Sequence, residues 1–130
     1  MNYRPLGKTG LEVSEVGLGA LELGAAYGIG EECGQIPSDE EAAELLQAAV
    51  EAGINLFDTA GIYGLSEHRI GRFLLTTRQR VIVTTKLNVG ERNGKKLDTM
   101  CCIVFEIEGG QVKSGTEHFF DLANWDQFWS

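Results

Sequence analysis

Apolar and polar positions along the chain fall into two rhythms. From Ser14 to Lys86 short apolar runs alternate with stretches of helical period, and from Met100 onward the pattern is strand-like. Ser14–Gly19, Ile54–Asp58 and Arg80–Lys86 read as buried strands, the last of them (RVIVTTK) strongly β-branched. Between the first two, Ser38 caps a helix and Glu41, three residues on, completes a capping box. Ala42, Leu45, Leu46, Ala49 and Val50 share one apolar face of that helix, and Gly53 ends it. Between the second and third strands, Ser66 is placed to cap a helix from Glu67 to about Leu75, with Ile70, Phe73 and Leu74 on one side. The order strand, helix, strand, helix, strand predicts right-handed crossovers and a parallel sheet. Three strands are too few to close a barrel.

The flanks read differently. Tyr3 to Val13 predicts a short hairpin around the turn formers Gly7, Lys8, Thr9 and Gly10. Leu23 to Pro37 is an irregular, glycine-rich loop over the strand ends, and Asn88 to Lys96 is a polar turn or linker. Met100–Ile107 and Val112–Phe120 are strands joined by Glu108, Gly109 and Gly110, a strong hairpin signal. Asp121 or Asn124 caps a final short helix that offers Leu122, Trp125, Phe128 and Trp129 for packing. A hairpin is antiparallel, so the α/β rhythm stops near Leu97.

Composition narrows the function classes. The chain has 130 residues, 43% hydrophobic and 23% charged, with a net charge of −8. That suits one soluble domain with a real core. The acidity argues against nucleic acid and against anionic membranes, and no apolar run is long enough to span a bilayer. The N-terminus lacks the apolar stretch of a signal peptide, so a reducing cytoplasm is expected. Three cysteines form no C-x-x-C pair. Cys101 and Cys102 are adjacent in a strand and point to opposite faces, as small hydrophobes and not as a disulfide. With two histidines in unrelated segments, His68 and His118, no metal site is expected.

The chain is organised around INLFDTAGIYGLSEHRIG, residues 54–71. Asp58 closes the second strand, Tyr63 lies in the loop after it, and Lys86 closes the third strand, so all three gather at the carboxyl-end face of the sheet. A phenol is a weak proton donor near neutrality, an adjacent ammonium favours its phenolate, and a carboxylate anchors the ammonium. Tyr63 as general acid, assisted by Lys86 and held by Asp58, makes a coherent proton donor to a carbonyl oxygen. Gly17 and Gly19 give only G-x-G; a dinucleotide fingerprint would need glycine where Glu22 stands. Ser66 and Glu67 either contact a cofactor or cap the helix, and capping is the simpler reading. His68, Glu40, Glu44 and Glu51 read as solvated faces.

The FDTAGIYGLSE run resembles the signature of the aldo/keto reductases, and residues 1–90 are consistent with that family. The resemblance implies a (βα) barrel with a hairpin plugging its bottom. It also implies Asp58, Tyr63 and Lys86 as catalytic residues, Asp58 touching cofactor, NADPH as hydride source and a small carbonyl substrate. The family's histidine after a fourth strand and its late phosphate-binding loops have no counterpart here. Residues 91–130, with IVFEIEGGQVKSGTEHFFDLANWDQFW, resemble the C-terminal strands and helix of the SnoaL-like, nuclear transport factor 2-like superfamily. That resemblance implies Asp121 as a general acid/base in a small-molecule lyase or isomerase pocket. Read from its own neighbours, Asp121 is a helix N-cap.

The expected fold is thus α/β: a partial (βα) barrel of three parallel strands and two helices with an N-terminal hairpin, then an antiparallel hairpin and a short C-terminal helix. The two parts, 1–90 and 91–130, pack as one domain and look like a chimera. The hairpin pairs with an edge of the parallel sheet. The expected behaviour is that of a recombined or truncated reductase-like domain without catalysis of its own, self-associating through sheet edges as a homodimer. NADP-dependent carbonyl reduction is the alternative.

Overall fold

A computed structural model describes residues 1–27, 34–92 and 94–119, with side chains for all of these except 87–92, 95–100 and 119. The chain begins with a two-stranded sheet, β1 (Tyr3–Pro5) and β2 (Glu12–Ser14), paired antiparallel from Tyr3 opposite Ser14. A five-stranded sheet follows in spatial order β3 (Leu18–Gly19), β4 (Leu56–Asp58), β5 (Val81–Arg92), β6 (Lys95–Glu108), β7 (Gln111–Phe119). The helices α1 (Asp39–Glu51) and α2 (Ser66–Leu74) connect β3 to β4 and β4 to β5. Both of those strand pairs are parallel, as strand–helix–strand units require. From β5 onward every pairing is antiparallel.

Alternation along the strands divides the interior in two. Phe57, Val81 and Val83 face the helices and pack with Ala42, Leu46 and Ala49 of α1 and Ile70, Phe73 and Leu74 of α2. The Phe57 and Phe73 rings lie 6.4 Å apart between centroids, inclined at 43°. On the other face Ile82 and Val104 pack with Leu11 and Val13 of the N-terminal hairpin. Asn55 fixes that hairpin: its side chain accepts from the Ser14 N–H at 2.7 Å and donates to the Glu12 carbonyl at 3.1 Å. The hairpin therefore covers the sheet face opposite the helices.

Helix α1 begins as its sequence requires. Ser38 Oγ accepts from the Glu41 N–H at 3.1 Å, and the Glu41 carboxylate accepts from the Ser38 N–H at 2.8 Å. Gly53, at φ +87°, follows the last turn in the left-handed conformation that glycine adopts without strain. Leu45 departs from the predicted apolar face and is 46% exposed, because the packed stripe is the narrower Ala42, Leu46 and Ala49. At the start of α2, Arg69 is buried. Its Nε donates to Asp39 at 2.9 Å, and Arg72 donates to the other Asp39 oxygen at 2.8 Å, tying the two helices together.

Four expectations are corrected. The first strand is not Ser14–Gly19: Ser14 belongs to the hairpin, its Oγ donates to the Val16 carbonyl, and Val16 is exposed, leaving only Leu18–Gly19 in the main sheet. The second strand is shorter than Ile54–Asp58, covering Leu56–Asp58. Asn88–Lys96 is not a linker: β5 runs on to Arg92 and β6 starts at Lys95, with Gly94 at φ +77° between them. Ser66 does not cap α2; Leu65 holds the N-cap position and Ser66 is the first helical residue.

The predicted β6–β7 hairpin is present. Gly109 and Gly110 have φ of +57° and +74°, the left-handed pair that a two-residue hairpin turn needs. It covers the β5 edge, with Val83 opposite Phe105 and Lys86 opposite Cys102. The predicted C-terminal helix, with Asp121, Asn124 and the aromatic cluster after Phe119, lies outside the described residues.

Two measurements check this account. Ser38→Ala is expected to lower stability by about 1 kcal/mol, the usual worth of an N-cap, seen as a lower urea midpoint. The Arg69 guanidinium hydrogen-bonded to Asp39 holds that carboxyl below the usual aspartate range. A depressed folded-state value stabilises above the unfolded aspartate value, about pH 4, and the effect is lost as pH falls through the folded value. Asp39→Asn should therefore melt lower than the natural chain at pH 6, with the gap closing below about pH 4.

Candidate active site

The site forms where β4 ends against β5; Lys86 does not close its strand, which runs on to Arg92. Parallel register sets Asp58 opposite Thr84, and the period of two along β5 puts Lys86 on the same face two residues on. Lys86 Nζ donates to Asp58 Oδ2 at 2.6 Å and to the Thr59 carbonyl at 3.1 Å. Thr84 Oγ1 donates to the other carboxylate oxygen, Asp58 Oδ1, at 2.6 Å. Both Asp58 oxygens are thus engaged, one by an ammonium and one by a hydroxyl. The Lys86 ammonium stands over the Tyr63 ring, 5.5 Å from its centroid, a cation–π contact. The three residues singled out in the sequence are brought together by the fold.

The cluster is half open to solvent: Lys86 is 25% exposed and Asp58 46%. Neither is desolvated enough for a large buried-charge penalty, so the ion pair orients more than it stabilises. The loop carrying Tyr63 is anchored from below. Ser66 Oγ, fully buried, donates to the Ala20 carbonyl at 2.7 Å and lies 2.9 Å from Thr59 Oγ1. Here Ser66 joins three segments of the chain, which is why it is not free to cap α2. Glu67 accepts a hydrogen bond from the Thr85 hydroxyl and so is tied to β5.

Thr84 and Thr59 are members of the site that sequence reasoning missed. Thr84 carried a usable signal, since it lies two residues before Lys86 on one strand face. Thr59 contributes a backbone carbonyl, which no side-chain pattern reports. Beyond Lys86 the same row continues across the sheet to Cys102 and then His118. Burial pushes the Cys102 thiol up, and the Lys86 ammonium opposes that shift. Cys101, on the opposite face, is fully buried and its thiol is pushed up by the same cause. His68 is exposed on α2 while its neighbour Arg69 is buried. Asp121, the weaker catalytic candidate, lies outside the described residues. Among the described residues no group of three or more His, Cys, Asp or Glu is placed to hold a metal ion, and no helix is long and apolar enough to cross a membrane.

A carboxylate, an ammonium and a phenol thus meet where the short strand β4 ends against β5. The aldo/keto reductase family pattern matches residues 15–107, and the chain belongs to that family. It is 37% identical over 99 residues to pyridoxal 4-dehydrogenase of Microbacterium luteolum, covering 72% of this chain and 27% of that protein. It is also similar to two solved structures from Pseudomonas aeruginosa proposed to be an aldo-keto reductase. Both are 41% identical and cover 74% of this chain, with TM-scores of 0.58 and 0.57 and 35% and 34% of the other chains covered. The chain spans about a quarter to a third of the length of these relatives. The family match continues through Val89–Lys96 to residue 107. The expected change of family there, and the SnoaL-like resemblance of the last part, find no support in the comparisons.

Thr84→Val keeps the strand shape and removes the hydroxyl from Asp58. It should cost about 1 kcal/mol, the usual net worth of one hydrogen bond, measured by urea unfolding. The same variant should leave the far-ultraviolet circular dichroism unchanged.

Proposed function

We propose that the chain carries the proton-donating half of a carbonyl-reduction site and does not complete the reaction by itself. The observation that supports this most is the Lys86 ammonium, held 2.6 Å from Asp58 and over the Tyr63 ring. In this reading Tyr63 donates its phenolic proton to a substrate carbonyl oxygen, Lys86 stabilises the negative charge left on the phenol, and Asp58 with Thr84 keeps Lys86 in place. A nicotinamide cofactor, when bound, supplies the hydride that such a reduction needs.

The residues fit the reacting end of that cofactor but not its phosphates. Strand–helix units put helix N-termini at the same end of the sheet as the site, where their N–H groups usually bind phosphate. In α1 the first turn carries Asp39, Glu40 and Glu41, and in α2 it carries Glu67. Asp39 is paired with Arg69 and Arg72, but the carboxylates of Glu40, Glu41 and Glu67 leave those helix starts unfavourable for a pyrophosphate. Orientation of both reactants supplies much of an enzyme's rate, so a proton donor without a cofactor grip is expected to be idle.

Self-association belongs to the same proposal. With β5 covered by β6, the long strand left at an edge among the described residues is β7. A two-fold pairing of β7 edges is its simplest form. The register irregularity between Glu106 and Ile107 leaves Ser114–Phe119 as the regular stretch of β7.

A calorimetric melt with and without excess NADPH tests the proposal. A ligand at about 100 times its dissociation constant adds roughly 2.7 kcal/mol to the native state, a shift of several degrees in a domain this size. The expected result is a cooperative transition that NADPH does not move. An upward shift would overturn the idle reading. Tyr63→Phe should then cut carbonyl reduction by about a hundredfold or more, the usual worth of a general acid.

A further inference from the structure

We propose that the turn Ala20–Gly24 is a positioning element for the Tyr63 phenol, acting through a contact between two glycine backbones. The proposal rests on the reading of Asp58, Tyr63 and Lys86 as a proton-transfer cluster. Directly after β3 the chain passes against the loop that carries Tyr63. A methyl group built on Gly24 would stand 2.0 Å from the Tyr63 carbonyl oxygen and 2.2 Å from the Ser66 nitrogen. No side chain fits in that space. The contact is reciprocal: Gly64 sits at φ +56°, and a methyl group there would stand 2.1 Å from the Gly24 carbonyl oxygen. The Leu65 N–H donates to that same oxygen at 3.2 Å.

Two buried side chains hold the turn just before this contact. Ser66 Oγ donates to the Ala20 carbonyl at 2.7 Å, and Arg69 donates to the Leu23 carbonyl at 2.5 Å. Tyr63 is thereby constrained on both of its peptide groups. Its N–H donates to the Ala60 carbonyl at 2.9 Å, and its own carbonyl accepts from the Ser66 N–H at 3.1 Å while facing Gly24. With the backbone fixed, rotation about the side-chain bonds is the ring's remaining freedom. Bulk at Gly24 would push the Tyr63 carbonyl away, and the ring would leave the Lys86 ammonium. Glycine is not needed everywhere nearby: Gly19 and Gly71 have open space around them. Among the described glycines, the two where an added methyl would meet other atoms most closely, at 2.0 Å for Gly24 and 2.1 Å for Gly64, both touch the Tyr63 loop.

The test reads the ring–ammonium contact directly and needs no cofactor, so its outcome is independent of whether the chain binds NADPH. Protein labelled with 13C at lysine Cε is compared by NMR with Lys86→Arg, which assigns the Lys86 signal, and with Tyr63→Leu, which defines its position without a ring. In Gly24→Ala the Lys86 signal is expected to move most of the way to its Tyr63→Leu position while the calorimetric melt stays cooperative. Gly71→Ala should leave the signal in place. A Lys86 signal unmoved in Gly24→Ala, or moved as far by Gly71→Ala, overturns the proposal. If Gly24→Ala fails to melt cooperatively, Ser66→Ala decides, since it removes the hydroxyl's bonds to Ala20 and Thr59 and needs no extra room. An intermediate Lys86 signal then supports the proposal, and a wild-type signal overturns it.

Discussion

Phe57 and its register hold the molecule together. It is wholly buried in a strand of three residues, opposite Leu18 on one side and Val83 on the other. Because side chains alternate, Phe57 facing the helices sends Leu56 and Asp58 to the opposite face. The same choice places Val81 and Val83 with α1 and α2, and Ile82, Thr84 and Lys86 away from them. A slip of one residue would bury the Asp58 carboxylate among Leu46 and Ile70 and expose an aromatic ring. That penalty separates core from site.

Much of this was legible in the sequence because it rests on local rules. The capping box at Ser38, the helix faces, the Gly53 stop and the Gly109–Gly110 turn each depend on a few neighbouring residues. Asp58 and Lys86 were legible because adjacent parallel strands bring residues of like alternation to one face, although Lys86 lies within β5 and not at its end. Other features depend on distant partners. Ser66 looked like a cap until Ala20 and Thr59 arrived to bond its hydroxyl. Gly24 looked like one loop glycine among several, and its close approach to Tyr63 is a property of two segments forty residues apart. The extension of β5 to Arg92 runs through a stretch containing Asn88, Gly90, Glu91 and Arg92, whose strand state comes from β6 pairing and not from its own pattern.

Chemistry and architecture are unevenly represented in the chain. Asp58, Tyr63 and Lys86 depend on the end of β4, the adjoining part of β5 and one loop, all within residues 58–86, so they assemble from a short stretch. Cofactor phosphates need donors spread over more of a fold, and the helix starts present here are acidic.

The antiparallel cap on β5 has a kinetic side. A further parallel strand seeking the free face of this sheet would need the hydrogen-bonding edge of β5, and β6 already occupies it through eleven registered residue pairs. Addition there would have to proceed by strand invasion, peeling the β6–β7 hairpin away before any replacement bond could form. Such exchange is slow because the first bonds broken are not repaid until the invading strand is aligned. The hairpin thus acts as a topological stop: once it closes on β5, growth of the parallel sheet in that direction is blocked by timescale as much as by equilibrium.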